Sequence, residues 1–188
     1  MIEDICRKAN DIRGEKGFVI LAIDGRCGSG KTTLAARLQE IYQCDVIHMD
    51  YFFPRLVQRT PERLNEPGGN LDRERFLEEV IAPLKRREAF SYQRYDPRVH
   101  EMVKEPFHIR LNDVTIIEGS YSCHPDLFDN YDLRIFLTVS MPERLRRIEE
   151  RNGADGLAQF QEKWIPMEER YFDAFDVENR CDFRFSTG

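Results

Sequence analysis

Residues 25–32 read Gly25-Arg26-Cys27-Gly28-Ser29-Gly30-Lys31-Thr32, and this stretch decides the fold. Its three glycines let the backbone wind tightly and point its N–H groups inward, where they can bind phosphate oxygens. The lysine can reach the outer phosphates of a nucleotide, and the threonine hydroxyl can coordinate Mg²⁺. The stretch therefore predicts a phosphate-binding P-loop, with ATP and Mg²⁺ as the expected cofactors.

The sequence on either side of the P-loop supports this interpretation. Residues 18–23 form a short apolar run that predicts a buried strand, and residues 33–40 are good helix formers. A strand, a glycine loop and a helix are the arrangement that the motif requires, because the helix N-terminus supplies part of the field that holds the anion. The residues expected to bind ATP are Gly25, Arg26, Cys27, Gly28, Ser29, Gly30, Lys31, Thr32 and Thr33.

Buried strands alternate with helices along the rest of the chain. This alternation predicts an α/β fold in three layers, with a mostly parallel sheet flanked by helices, formed by a single domain over 1–188. The predicted strands cover 18–24, 45–50, 114–119, 133–139 and 182–185. The predicted helices cover 2–14, 31–42, 72–87, 142–151 and 157–175, the last with a break at Pro166. Two further segments, 90–96 and 107–111, predict a small hairpin on the substrate side.

Composition restricts the partners. The chain of 188 residues carries a net charge of −6, which argues against nucleic-acid binding because a basic surface supplies most of that affinity. No apolar run approaches the ~20 residues that a membrane-spanning helix needs. The five cysteines are scattered without a Cys-x-x-Cys pair, so we expect neither disulfides nor zinc, and a cytoplasmic location. The sequence leaves open whether the chain forms a homo-oligomer.

Two acidic residues end predicted strands and are candidates for the site. In parallel sheets ligands bind outside the carboxyl ends of the strands, so Asp50 and Glu118 should lie near the P-loop. Glu118 would support Mg²⁺ together with Thr32. Asp50 would accept the proton of an acceptor hydroxyl, or orient that hydroxyl toward the γ-phosphate. The alternatives are a solvated acid at Glu118 and an aspartate that caps a turn at Asp50.

Arginines cluster on one predicted helix. Spacings of three and four place Arg144, Arg147 and Arg151 on a common face, which suits a lid that closes over phosphates. The alternative is a solvated helix whose arginines are balanced by its own glutamates. The predicted catalytic residues are Asp50, Lys31, Arg144, Arg147 and Arg151.

With these motifs in order, the chain resembles the uridine kinase family, within the P-loop kinases that include phosphoribulokinase and bacterial pantothenate kinase. The similarity extends over most of the chain, from about residue 18 to 187. The P-loop alone is typical of the whole superfamily, whereas the full set of motifs in this order is more specific for the uridine kinase family. The matching segments are Asp24-Gly25, Gly28–Thr33, His48–Phe53, Asn70-Leu71-Asp72, Tyr95-Asp96 with His100, Glu118-Gly119 and the helix from Arg144.

The resemblance implies a P-loop NTPase fold with a substrate-side hairpin and an arginine-rich lid. It also implies that Asp50 contacts the acceptor hydroxyl and that Asp72, Tyr95 and His100 contact a nucleoside. Two positions depart from the family pattern. Phe53, a further expected substrate contact, stands where tyrosine is usual, and Leu71 stands where an aromatic residue is usual, so a surface for base stacking is missing.

The sequence therefore predicts an ATP-dependent kinase that transfers the γ-phosphate to a hydroxyl of a small molecule. A nucleoside is the first choice of acceptor. One alternative is a kinase for a non-nucleoside, such as a sugar, a vitamin precursor or a phosphorylated metabolite. A second alternative is a nucleotide-dependent switch that binds ATP without phosphorylating anything.

Overall fold

The computed structural model describes all 188 residues as a sheet with helices on both faces. The helices are α1 (Ile2–Lys16), α2 (Lys31–Tyr42), α3 (Pro61–Asn65), α4 (Arg73–Phe76), α5 (Ala82–Arg86), α6 (Pro125–Phe128), α7 (Met141–Gln159), α8 (Ile165–Phe175) and α9 (Val177–Arg180). The strands are β1 (Val19–Gly25), β2 (Val46–His48), β3 (Phe90–Tyr92), β4 (Tyr95–Asp96), β5 (Glu101–Met102), β6 (Phe107–Ile109), β7 (Val114–Glu118), β8 (Leu133–Thr138) and β9 (Phe183–Ser186).

Five strands form the central sheet in the order β2-β7-β1-β8-β9, and all of them are parallel. The first strand, β1, lies in the middle, where Ile23 pairs with Glu118 on one side and with Ile135 on the other. Every residue of β1 is buried, since helices cover both faces of the sheet. The predicted α/β fold with a parallel sheet is confirmed.

Each face of the sheet has its own hydrophobic core. On one face, Ile5 of α1 and Leu38 of α2 are fully buried against the strands. On the other face, Phe76 of α4 and Tyr171 of α8 are fully buried in a second cluster. These two cores hold the sheet between helical layers. None of the helices combines the length and the apolarity that crossing a bilayer requires.

Several elements differ from the sequence prediction in detail. The second strand ends at His48, and a 3₁₀ turn over Met49–Tyr51 follows, so Asp50 lies in a turn rather than in the strand. Pro166 does not break the last long helical region. It lies in the first turn of α8, where the backbone N–H groups have no partner within that helix, so the missing N–H of proline removes no hydrogen bond from it. Helix α7 instead kinks at Gly153, whose φ is 72°.

The predicted hairpin is present as two short antiparallel ladders, β3 with β6 and β4 with β5. It packs on the segment that contains Asp50, because the Tyr51 ring stacks on Phe107 with 4.9 Å between ring centroids. The fold thus positions the hairpin beside the turn that follows β2.

Gly25 is required where β1 meets the P-loop. Its φ is 136°, and a Cβ atom there would lie 2.0 Å from the carbonyl oxygen of Leu137 in β8. The oxygen belongs to the backbone of β8, and the position of a Cβ atom is fixed by the backbone of residue 25, so neither atom can move away. We expect Gly25→Ala to lower the free energy of unfolding by about 3 kcal/mol, measured by urea denaturation.

Gly14 provides the matched control. It lies within α1, and nothing would approach its Cβ within 4 Å. Gly14→Ala should therefore leave stability unchanged or raise it by up to about 1 kcal/mol. Equal stability of the two alanine variants would contradict the tight approach of β1 and β8 at Gly25.

Candidate active site

A cavity of about 900 Å³ opens where the P-loop follows β1. The P-loop residues 27–33 line it, together with Asp50 from the turn after β2 and Glu118 from the end of β7. Segments that are far apart in sequence meet here because parallel strands present their carboxyl ends at one edge of the sheet. The volume lies within the range of about 300–1,000 Å³ that is usual for ligand sites.

The P-loop offers groups that suit a polyphosphate. Gly30 is the N-cap of α2, so the first N–H groups of that helix face the cavity without helical partners. The hydroxyl of Ser29 is buried and has no hydrogen-bond partner. The ammonium of Lys31 donates hydrogen bonds to the carbonyls of Gly25, at 2.7 Å, and Arg26, at 3.1 Å. These donors fit the phosphate groups of ATP.

The buried carboxylate of Asp24 anchors the start of the P-loop. It accepts hydrogen bonds from the N–H of Gly25 at 2.7 Å, from the N–H of Cys123 at 2.8 Å and from the Tyr171 hydroxyl at 2.8 Å. Complete burial raises the pKa of Asp24 to about 6, although these bonds and the charge of Lys31 oppose the rise. The loop is thereby tied to the segment after β7 and to α8.

Thr32 of α2 and Glu118 of β7 face each other at the cavity. The Thr32 hydroxyl lies 3.4 and 3.5 Å from the two carboxylate oxygens of Glu118, and His48 Nδ1 lies 2.6 Å from one of them. The protein gathers no group of three or more His, Cys, Asp or Glu residues that could hold a metal ion. A hydroxyl and one carboxylate nevertheless fit Mg²⁺, which usually keeps several waters and takes further ligands from substrate phosphates.

Asp50 projects into the cavity from its 3₁₀ turn and is exposed there. Its pKa is raised because the surrounding protein atoms remove hydration from the carboxylate, and the charges of Glu118 and Glu168 also raise it. The positive charge of Lys31 opposes the rise. Asp50 is thus accessible to a ligand and more basic than an ordinary aspartate.

The three arginines of α7 do not share one environment. Arg147 and Arg151 line the cavity, and Arg147 donates a hydrogen bond to the Gly28 carbonyl at 3.1 Å. Arg144 is fully buried outside the lining and pairs with Glu168 at 2.7 Å and with Glu169. Arg144 therefore braces the base of the helix, whereas Arg147 and Arg151 are the two arginines of this set that line the cavity.

The residues expected to contact a nucleoside are not gathered at the cavity, with the exception of Phe53, which lines it. Asp72 is buried as the N-cap of α4 and accepts a hydrogen bond from Gln58 at 2.9 Å. The Tyr95 hydroxyl lies 3.3 Å from Nδ1 of His100, in the outer ladder of the hairpin. Asp72 is held away from the cavity lining by its role as a helix cap, and Tyr95 and His100 by their place in the hairpin.

Sequence reasoning missed several residues of the cavity. Glu168 of α8 accepts a hydrogen bond from the N–H of Cys27 at 3.0 Å and another from the Ser120 hydroxyl. Asn70 and Tyr121 also line the cavity. A helix that folds back from the far end of the chain brings Glu168 to the P-loop, and no local pattern in the sequence indicates this long-range contact.

The strand order of the sheet, together with the P-loop, shows that the chain has the fold of the P-loop kinases. No protein-family model matches the chain. Among solved structures, it is similar to a protein described as a possible uridine kinase from Bacillus stearothermophilus, with 20% identity over 97% of this chain and 99% of the other and a TM-score of 0.67.

Two further solved structures have the same fold. A protein provisionally described as a fructose transport system kinase from Silicibacter sp. TM1040 is 23% identical over 98% of both chains, with a TM-score of 0.72. D-glycerate 3-kinase from Cryptococcus neoformans var. grubii is 16% identical over 100% of this chain and 95% of the other, with a TM-score of 0.71. At these identities the likeness concerns the fold, so the predicted resemblance is confirmed at that level.

The ion pair between Arg144 and Glu168 should stabilise the folded protein. Replacing the guanidinium would leave the Glu168 carboxylate buried without its charged partner, and breaking a buried pair in this way is strongly destabilising. We expect Arg144→Met to lower the free energy of unfolding by about 3 kcal/mol or more, measured by urea denaturation.

Arg146 is the control on the same helix. Its side chain is 54% exposed and pairs only with glutamates of α7. Arg146→Met should change stability by about 0.5 kcal/mol or less. If Arg144→Met were as stable as Arg146→Met, the bracing role of Arg144 would be wrong.

Proposed function

We propose that the protein is an ATP-dependent kinase that transfers the γ-phosphate to a hydroxyl group of a small molecule. One observation supports this most directly: Asp50, a carboxylate outside the P-loop, lines the same cavity as the P-loop. Phosphoryl transfer needs little covalent chemistry from the protein, because the transition state is loose and catalysis is mostly positioning and charge neutralisation. The cavity offers groups for both.

The P-loop and helix α7, which carries Arg147 and Arg151, would bind the phosphates of ATP. The N–H groups at the start of α2, the Ser29 hydroxyl and Lys31 would hold the β- and γ-phosphates. Thr32 and Glu118 would hold Mg²⁺, which would supply positive charge to offset the negative charge that develops during phosphoryl transfer. Arg147 and Arg151 would approach the transferring group from the lid.

The acceptor side depends on Asp50. Its carboxylate would accept the hydroxyl proton of the acceptor, and the hydroxyl oxygen would then form its bond to the γ-phosphorus while the bond to the β-phosphate oxygen breaks. The proton ends on Asp50 and the leaving group is ADP. The raised pKa of Asp50 makes it a stronger base than an ordinary aspartate.

A nucleoside, the first choice of acceptor from the sequence, has less support than the kinase function itself. One protein of the same fold is described as a possible uridine kinase. Against a nucleoside, Asp72, Tyr95 and His100 do not line the cavity. A non-nucleoside acceptor accordingly fits the geometry better. A switch that only binds nucleotide has less support than a kinase, because it would have no use for the exposed carboxylate of Asp50.

Asp50 can be tested by an isosteric change. Asp50→Asn keeps the shape of the side chain but cannot accept a proton, so we expect kcat to fall roughly 10²-fold or more. The affinity for Mg-ATP should remain. Acceptor-dependent ADP release measures the first quantity and calorimetric titration the second. Asp11→Asn, on the exposed face of α1, is the control and should keep full activity.

The pH profile gives the second readout for Asp50. Because its pKa is raised, the carboxylate becomes protonated at a higher pH than an ordinary aspartate, and the basic form is lost as the pH falls. We expect kcat/KM of the wild type to decrease on the acid side and the Asp50→Asn variant to lose this dependence. An unchanged acid limb in an active Asp50→Asn protein would contradict the role as base.

A further inference from the structure

The Asp50 carboxylate has no hydrogen bond within the protein to direct it. Its pKa responds to burial and to the charges of neighbouring groups, and to no hydrogen-bond donor. The direction of the side chain is therefore set by the backbone of the 3₁₀ turn over Met49–Tyr51 that carries it. The groups that fix this backbone decide where the carboxylate points in the cavity.

Residues at the start of α4 bind both carbonyls that follow Asp50. The Arg75 guanidinium donates a hydrogen bond from Nη2 to the Tyr51 carbonyl at 2.8 Å. The N–H of Asp72 donates a hydrogen bond to the Phe52 carbonyl at 2.7 Å. The first of these bonds comes from a side chain, so a substitution can remove it without changing the backbone.

The same guanidinium contacts the hairpin. Nη2 of Arg75 also donates a hydrogen bond to the carbonyl of Gln93, between β3 and β4, at 3.0 Å. Nη1 donates to the sulfur of Met102 in β5 at 3.4 Å. One group thus joins the turn that carries Asp50 to the link between β3 and β4 and to β5.

Burial makes these bonds strong constraints. The Arg75 side chain is 7% exposed, its Nε lies 3.4 Å from the Glu79 carboxylate, and its guanidinium carbon lies 4.3 Å from the centroid of the Phe52 ring. A buried guanidinium that lost its acceptors could not exchange them for water, which is costly. Because the guanidinium is planar and its donors have fixed directions, it also restricts where the acceptor carbonyls can lie.

We propose that Arg75 is a positioning residue for Asp50: its guanidinium fixes the Tyr51 carbonyl against the hairpin and thereby aims the neighbouring carboxylate at the acceptor hydroxyl. Arg75 is not among the residues that line the cavity, so it acts through the turn and not on the substrate. The catalytic part of this inference rests on the proposed function, whereas the structural part, that Arg75 fixes the turn, does not.

Hydrogen exchange of the ligand-free protein, measured by mass spectrometry, tests the structural part. In Arg75→Met we expect the peptide that covers 49–53 to exchange about tenfold or more faster than in the wild type. The P-loop should keep its rates, because the hydrogen-bond partners of the guanidinium lie outside it. Arg75→Lys keeps a positive charge and one donor group, so its increase should be smaller. Unchanged exchange at 49–53 in Arg75→Met, or an equal increase throughout the protein, would overturn the proposal.

Arg73 provides the matched control on the same helix. Its side chain is 20% exposed and pairs with Glu66, Glu74 and Asp126, which belong neither to the turn nor to the hairpin. Arg73→Met should therefore leave exchange at 49–53 at the wild-type rate. An increase there as large as that of Arg75→Met would show that α4 as a whole causes the effect, and the role of Arg75 would be wrong.

A double-mutant cycle with Asp50→Asn tests the catalytic part. The measured rate is ADP release from Mg-ATP that depends on uridine, fructose or D-glycerate, whichever the wild type phosphorylates. Arg75→Met alone should lower kcat about tenfold or more, because a small misplacement of a reacting group is costly, while the Kd of Mg-ATP stays unchanged. In the Asp50→Asn background the same change should lower kcat by less than about twofold, since both residues act through one carboxylate. Equal losses in the two backgrounds would overturn an action through Asp50.

The two measurements distinguish failure of the inference from failure of the proposed function. Absence of acceptor-dependent ADP release in the wild type would count against the kinase function, and hydrogen exchange would still decide whether Arg75 fixes the turn. Wild-type kcat in Arg75→Met would overturn the positioning role and leave the kinase function standing.

Discussion

Two buried carboxylates hold the phosphate-binding loop, and the rest of the site depends on them. Asp24 binds the N–H of Gly25, and Glu168 binds the N–H of Cys27. A P-loop works because its main-chain N–H groups point at an anion, so its backbone must be rigid before the anion arrives. Here the rigidity comes from two acids on separate elements, β1 and α8. Helix α8 therefore contacts the P-loop although it follows that loop by more than 130 residues.

One of these two carboxylates, that of Glu168, also connects the P-loop to α7. Glu168 also pairs with Arg144, and Arg144 donates a hydrogen bond to the Cys27 sulfur at 3.3 Å. Since the Arg144 guanidinium is fully buried, the base of α7 is fixed to the P-loop. Arg147 and Arg151, further along the helix, then project over the phosphate side of the cavity. The arrangement places two guanidinium groups at the cavity.

Local patterns in the sequence predict most of the fold and the segments that line the cavity at the P-loop, after β2 and at the end of β7. The apolar run of β1 and the glycines of the P-loop determine the local backbone conformation, so the sequence predicts both. Apolar runs also predict that strands end near Asp50 and Glu118. Arg144 was not, because helical spacing shows which side chains share a face but not which of them is buried. Glu168 reaches the cavity only through tertiary packing, which leaves no periodic signal. Asn70 belongs to a segment that matches the family motif, but the motif assigns it no role. Asp72 matches a motif position of the family, but in the structure its side chain caps α4. A match to a motif therefore does not by itself place a residue in the cavity.

The most direct test of the account is calorimetric titration of the wild type and of Lys31→Ala with a Mg-bound, non-hydrolysable ATP analogue. Lys85→Ala, an exposed lysine of α5, serves as the control. The cradle of N–H groups with Lys31 predicts binding by the wild type and the control with dissociation constants roughly in the micromolar range. Lys31→Ala should bind at least about tenfold more weakly, because it lacks a charged hydrogen-bond donor. No binding by the wild type, or equal affinity of all three proteins, would contradict a P-loop that holds polyphosphate.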